Sequence, residues 1–224
     1  QGFIFTGITY PANIYDAIVI KHPQDVRCFS PVIKESSHNL EEQMELINRE
    51  KIEKAMIIAE NIDFIKKCPT LRYLRIIPAE NAGDGFDYSP LYEMPEIKSL
   101  QCSTVYGAGE RFFTELDCER IIGLRDIHVT SRGYRNYEKI STLKSLGLSG
   151  SNELPDLSFL KTMKSLKTFV FNMNVKDGDL SLCTGLSYVY SERNRKHYNL
   201  KNTELPKGQY VRGNEDIEVW RRCE

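Results

Sequence analysis

Read as apolar and polar positions, the chain repeats one short pattern: apolar, two residues, apolar, one residue, apolar. Leu71, Leu74 and Ile76 set the template. The same spacing returns at Ile97/Leu100/Cys102, Leu124/Ile127/Val129, Leu143/Leu146/Leu148, Leu166/Phe169/Phe171 and Leu186/Val189/Ser191. A weaker unit, Ile52/Ala55/Ile57, precedes them, so the first residues fall at 52, 71, 97, 124, 143, 166 and 186. Two further columns follow the same register. Three residues before each lead stand Cys68, Met94, Ile121, Ile140, Met163 and Cys183, and six before stand Ile65, Leu91, Cys118, Tyr137, Leu160 and Leu180. The Ile52 unit departs from this, with Leu46 in the earlier column but Arg49 in the later.

These columns predict one unit type. The second and third triplet positions alternate as the inward residues of a short strand do. The apolar residues at −6 and −3 lie one helical turn apart and suit a helical or 3-10 segment on the opposite side. A single unit cannot bury both faces, whereas stacked units share a continuous core. The unequal gaps place insertions in convex-side loops, chiefly PAENAGDGFDYSP and STVYGAGERFFTE, whose glycines fit loops.

The stretches FDYSPLYEMPEIKSLQCS and LPDLSFLKTMKSLKTFVFNMN, with their Asp-x-Ser-x-Leu lead-in, resemble internalin-like bacterial leucine-rich repeats over about residues 60 to 194. The resemblance implies an α/β leucine-rich-repeat solenoid, a curved parallel sheet with a helical or irregular convex side and a cap at each end. The family's ladder asparagine, eight residues after the lead, is present only as Asn174 and Asn194. Glu60, Ala79, Val105, Arg132 and Ser151 replace it elsewhere, which predicts an irregular solenoid. A host-receptor role is not carried over, and LPKG at Leu205 lacks the threonine of a sortase motif.

The expected organisation is an N-terminal cap over 1–51, about seven repeats over 52–194 and a C-terminal cap over 195–224. In the first cap IYDAIVIKHP reads as a strand, with Ile14, Ala17 and Val19 on the triplet spacing. NLEEQMELINREK reads as an amphipathic helix, capped by Asn39 with Glu42 three residues on, and with Leu40, Met44 and Ile47 on one face. The last cap carries the only tryptophan, Trp220, in a short strand or hairpin closing the final repeat.

Charge and composition then narrow the function. Thirty basic and 31 acidic residues leave a net charge of −1, so no global field favours indiscriminate nucleic-acid or polybasic membrane binding. No apolar run approaches the roughly 18 residues of a spanning helix. The chain begins at Gln1 rather than Met, which suggests a trimmed N-terminus and leaves a removed signal peptide open. Six cysteines form no Cys-x-x-Cys pair and none has histidine at zinc-finger spacing. Cys68, Cys102, Cys118 and Cys183 fall in core columns and should be inert structural thiols, which leans toward a reducing, cytoplasmic compartment. Cys28 and Cys223 lie at opposite ends of the chain, where pairing is not expected.

No nucleophile motif, metal-ligand pair or cofactor fingerprint is present, so neither catalysis nor a cofactor is expected. GAGERF at Gly107 lacks a third glycine and the Lys-Ser/Thr of a phosphate loop. Strand alternation instead predicts two exposed columns on the concave face. Two residues after the lead these are Lys54, Tyr73, Ser99, Asp126, Ser145, Thr168 and Tyr188. Four after it they are Met56, Arg75, Gln101, His128, Gly147, Val170 and Tyr190. Tyrosine and arginine anchor interfaces more than most residues. The expected partner surface is therefore Tyr73, Arg75, Gln101, Asp126, His128, Tyr188 and Tyr190, and the expected function is binding of a protein partner. Two other readings remain at this stage. One is nucleic-acid or polyanion binding through the basic and aromatic segment 188–198, with Arg193, Arg195, Lys196, His197 and Tyr198. The other is an enzyme site assembled across repeats, for instance from His128 and Asp126.

Overall fold

The computed structural model describes residues 2–7, 19–20, 40–59, 61–78, 86–102, 116–129, 134–150 and 153–209. Its strands are β1 (Gly2–Gly7), β2 (Val19–Ile20), β3 (Lys54–Ala59), β4 (Tyr73–Pro78), β5 (Ser99–Cys102), β6 (Leu116–Asp117), β7 (Asp126–Val129), β8 (Tyr134–Arg135), β9 (Ser145–Leu148), β10 (Glu153–Leu154), β11 (Thr168–Phe171), β12 (Asn174–Val175) and β13 (Tyr188–Ser191), with one helix, α1 (Leu40–Arg49). The main sheet has nine strands in the order β13-β11-β9-β7-β5-β4-β3-β1-β2. All pair in parallel except β2, which runs antiparallel to β1.

The register is the one set by the triplets. Lys54, Tyr73, Ser99, Asp126, Ser145, Thr168 and Tyr188 are direct neighbours across seven strands. One backbone arrangement recurs at six steps. The carbonyl of the residue after each lead accepts two N–H groups from the next strand, as Glu53 does from Arg72 and Tyr73 (2.8 and 3.0 Å) and Lys144 does from Lys167 and Thr168 (2.9 and 3.0 Å). Short 3-10 segments fill the return path at Asp63–Lys67, Ser89–Glu93, Cys118–Arg120, Tyr137–Lys139, Ser158–Lys161 and Ser181–Gly185. This parallel sheet is consistent with a leucine-rich-repeat fold.

The Asp-x-Ser lead-in has a mechanical purpose. Asp87, Asp156 and Asp179 each accept the backbone N–H of the serine two residues on, at 2.8, 2.6 and 2.9 Å. Each Asx turn stops the extended chain and starts the 3-10 segment. The serine bonds hold the Asp156 and Asp179 carboxyls below their usual pKa.

The core lies between the main sheet and the 3-10 segments. Leu71, Leu74, Ile97, Leu100, Leu124, Ile127, Leu143 and Leu146 are fully buried, with Cys68, Ile65, Leu91 and Cys118 opposite them. Each buried leucine contributes about 1.5–3 kcal/mol relative to exposure. Phe169 and Phe171 stack at 4.8 Å, and Phe159 and Tyr137 continue the row edge-on. Cys68, Cys102, Cys118 and Cys183 are all buried free thiols, and burial raises their pKa values, Cys68 to about 11 and Cys118 and Cys183 to about 12.

The expected asparagine ladder is incomplete. Asn174 donates to Glu153 Oε1 at 2.7 Å, while its buried Oδ1 has no hydrogen-bond partner. Asn194 Oδ1 accepts from Asn202 N at 2.7 Å. Other asparagines join successive turns instead: Asn172 accepts from Gly150 N (2.9 Å), and Asn199 accepts from Leu180 N (2.8 Å) and donates to Asp179 (2.8 Å).

Toward the N-terminus, α1 matches the predicted amphipathic helix, with Ile47 in the core and Met44 packed against it. The strand predicted over residues 14–23 is described only at Val19–Ile20; Ile14, Ala17 and Asn39 lie outside the described residues. β1 is a strand the repeat pattern does not reveal, paired from Gly2↔Lys54 to Gly7↔Ala59. The GAGERF segment and Trp220 also lie outside the described residues.

Candidate interaction face

Alternation puts two columns on the strand face away from the core, and the structure treats them differently. The column two after the lead is expected to be exposed, yet Tyr73, Ser99, Ser145 and Thr168 are buried, Tyr73 at 4% exposure. Strands about 4.8 Å apart crowd their facing side chains, so Ser and Thr sink between larger neighbours. Asp126 is half-buried and its carboxylate accepts the Ser99 hydroxyl at 2.8 Å. It therefore serves first to tie β5 to β7. Tyr188, at the end of the column, is half-buried.

The column four after the lead is the more open. Arg75 and Val170 are half-buried, Gly147 is buried and Tyr190 is exposed at 38%. Gln101 and His128 occupy this column by register, on either side of the β5–β7 pairing; their side chains lie outside the described residues. The His128/Asp126 pairing of the enzyme reading thus has only Asp126 described, engaged with Ser99.

Two features have chemical content. The first is Arg75, whose Nε is sealed from solvent with no hydrogen-bond partner, and which forms no ion pair among the described residues. Burial lowers its pKa, though a guanidinium remains charged. A half-buried cation without a counter-charge is costly, and a carboxylate supplied from outside would offset that cost.

The second is at the far edge, where Lys207 places its ammonium 5.5 Å from the Tyr188 ring centroid and 5.2 Å from that of Tyr190. Val189 N donates to Pro206 O (2.8 Å), Gly208 N donates to Ser187 O (3.0 Å), and Lys207 pairs antiparallel with Tyr188. A Cβ on Gly208 would stand 2.8 Å from Ser187 O, so glycine permits this approach. Lys207 also donates to Asn202 Oδ1 (2.9 Å) and to Val189 O. Burial lowers its pKa.

No protein-family model matches the chain, and no curated protein matches it. Among solved structures, an internalin from Listeria monocytogenes is similar at 18% identity and a TM-score of 0.43, over 66% of this chain. The chain spans half the length of that protein's chain.

In the segment 188–198 the three tyrosines split. Tyr198 is buried, accepts Val175 N–H at 3.0 Å and donates to Met173 O at 3.2 Å. Its ring is a structural wedge rather than a stacking platform. Arg193 and Lys196 are exposed, and Arg195 has a buried Nε without a hydrogen-bond partner. His197 lies within hydrogen-bond distance of Val175 O (3.0 Å). Among the described residues no three potential metal ligands cluster, and no helix is long and apolar enough to cross a membrane.

Lys207 escaped the sequence reading because nothing in the repeat spacing brings residue 207 to residue 188. Arg75 was visible as a column member, but its lack of a partner is a property of packing alone.

Proposed function

We propose that this chain is a protein-interaction module that binds a macromolecular partner on its strand face. Its working residues are Arg75, Gln101, His128 and Tyr190, flanked by Asp126 and by Tyr188 with Lys207. Tyr73 lies two residues before Arg75 on the same strand, in a buried position. The architecture in this reading is a leucine-rich-repeat solenoid over 52–194, capped by 1–51 and 195–224. Binding, with no catalysis, is assigned to it.

The observation that carries the reading is Arg75 on the strand face, whose buried Nε has no hydrogen-bond partner and which forms no ion pair among the described residues. Folding alone gives no return for a half-buried cation without a counter-charge, whereas a partner carboxylate would gain a charge-assisted bond there. At the other end of the face Tyr190 offers exposed aromatic area, the residue type that anchors interfaces. The polyanion reading of segment 188–198 draws support from exposed Arg193 and Lys196, but Tyr198 is already committed inward.

The test is affinity capture from the source organism's lysate and culture fluid, quantified by mass spectrometry, with native chain beside Arg75→Ala/Tyr190→Ala. Tyr73 is left intact because it is buried, and its truncation would disturb packing on the strand face. A partner held by the native chain and depleted at least tenfold by the double variant supports the strand face. Equal retention by both moves the site elsewhere, and loss of binding in moderate salt alone points to the 188–198 reading.

A further inference from the structure

The residue following each lead forms a column of its own, at the edge where the strands begin. From β3 to β13 it reads Glu53, Arg72, Lys98, Arg125, Lys144, Lys167 and Ser187. Five successive strands thus carry a cation at the same place. The paired N–H bonds to each of their carbonyls hold the column in register. Arg72 is neutralised by Glu53 (3.2 Å) and Glu96 (2.6 Å). Lys98, Arg125 and Lys167 form no ion pair among the described residues, and neither does neighbouring Lys164.

The surroundings sharpen the feature. In three of the tetrapeptides closing the turns, IGLR (122–125), STLK (141–144) and KSLK (164–167), no acid and no aromatic residue occurs, while PEIK (95–98) before Lys98 carries Glu96, which is engaged with Arg72. This segregation stands out in a chain whose total charge is −1. Gly123, Thr142 and Ser165 beside Arg125, Lys144 and Lys167 are small, whereas Glu96 stands beside Lys98. The long cationic side chains are therefore the tallest groups on this lip. Ile122 stands among them at 72% exposure, the most exposed large apolar residue described.

We propose that this lip docks an acidic amphipathic α-helix of a protein partner. Spacing selects the helix. Adjacent strands are about 4.8 Å apart, so Lys98 to Lys167 spans about 14 Å in three steps. Acidic residues at i, i+3, i+7 and i+10 of a helix span about 15 Å in three steps. An extended acidic strand puts same-side carboxylates about 6.7 Å apart and falls out of step by the third cation. Stacked nucleobases need aromatic platforms, which the lip lacks. Ile122 supplies the apolar contact that a helix presenting leucine beside its acids would cover. This surface is separate from the strand face and stands or falls without it.

The test uses the full chain and fluorescence anisotropy with four probes. One is a lactam-stapled 16-residue helix with Glu at i, i+3, i+7 and i+10 and Leu on the adjoining stripe. The second is the same composition with Glu on alternate residues, the third a 12-nucleotide thymidine oligomer and the fourth a heparin fragment. At low ionic strength the registered helix binds at least tenfold tighter than the other three. Arg125→Glu/Lys167→Glu, both exposed, weakens it by about tenfold or more, since each reversal replaces an attraction with a repulsion. Ile122→Ser weakens it about threefold, and Lys176→Glu, exposed on the turn after β12, leaves it unchanged. Equal binding of both peptides, tighter binding of the oligomer or heparin, indifference to the double reversal, or no binding of the helix overturns the proposal.

Discussion

Replacing Tyr198 by Phe removes one oxygen and tests whether segment 188–198 is structural at its core. That oxygen accepts the Val175 N–H at 3.0 Å and donates to Met173 O at 3.2 Å, both within the buried turn that carries β12. Val175 is fully buried and Met173 nearly so, which keeps water from taking over. An unsatisfied buried donor costs about 1–3 kcal/mol, and the carbonyl loses a bond as well, so the expected destabilisation is about 2–4 kcal/mol. For a chain of this size each kcal/mol shifts Tm by about 2–4 °C. Urea and thermal unfolding measure this, and hydrogen exchange adds a local readout, because the Val175 amide should lose protection before amides of β4. Tyr134→Phe is the control: its hydroxyl meets only the Met173 sulfur, at 3.1 Å, and should cost under about 1 kcal/mol. A Tyr198→Phe chain within about 0.5 kcal/mol of native, or one less affected than Tyr134→Phe, refutes the reasoning.

Gly178 has φ +72°, and a Cβ there would collide with the His197 carbonyl oxygen and lie 2.9 Å from its ring. Gly178→Ala should cost more than about 2 kcal/mol in urea unfolding, whereas Gly185→Ala, with open space, should stay within about 0.5 kcal/mol. Burial raises the Cys68 thiol to about 11 and those of Cys118 and Cys183 to about 12, so the folded state favours their protonated forms. Stability is then fully retained below the unfolded thiol pKa of about 9 and lost as pH rises from 9 toward 12; a Tm unchanged between pH 8.5 and 10.5, or alkylation of these thiols in the folded chain at pH 8, would contradict it. Arg75→Met should raise stability by about 1 kcal/mol by removing a half-buried cation that forms no ion pair among the described residues, while weakening partner capture, and a destabilised chain in thermal melts would show that Arg75 has a structural partner after all.

Much of the fold could be read from residue spacing. The triplets place Tyr73, Ser99, Asp126, Ser145, Thr168 and Tyr188 on one row, and the strands pair in that row without a slip. Apolar periodicity works here because each unit repeats the same burial problem. β1 was not legible, since it enters the sheet next to β3 from far upstream, outside the repeat spacing. The face was legible as columns but not as exposures. Alternation says which way Thr168 points, while the width of its neighbours decides that it is fully buried.

The same distinction separates structural from functional residues on this molecule. Where the sequence departs from the repeat for structural reasons, the departure is compensated nearby: Asn199 bonds Asp179, Thr70 and Thr142 each donate to the lead carbonyl of the preceding unit at 2.7 Å, and Arg72 finds two glutamates. Arg75, Lys98, Arg125 and Lys167 differ. Lys98, Arg125 and Lys167 form no ion pair among the described residues. A polar group that folding leaves unbalanced is where a binding role is most economically sought. By that argument both the strand face and the adjoining lip ask for negative charge, and a single partner with one carboxylate for Arg75 and an acidic helix for the lip would satisfy both. Combining Arg75→Ala with Arg125→Glu/Lys167→Glu discriminates the cases: losses that multiply for one captured partner indicate a partner gripped at both, and a partner weakened by only one of the two sets indicates separate contacts.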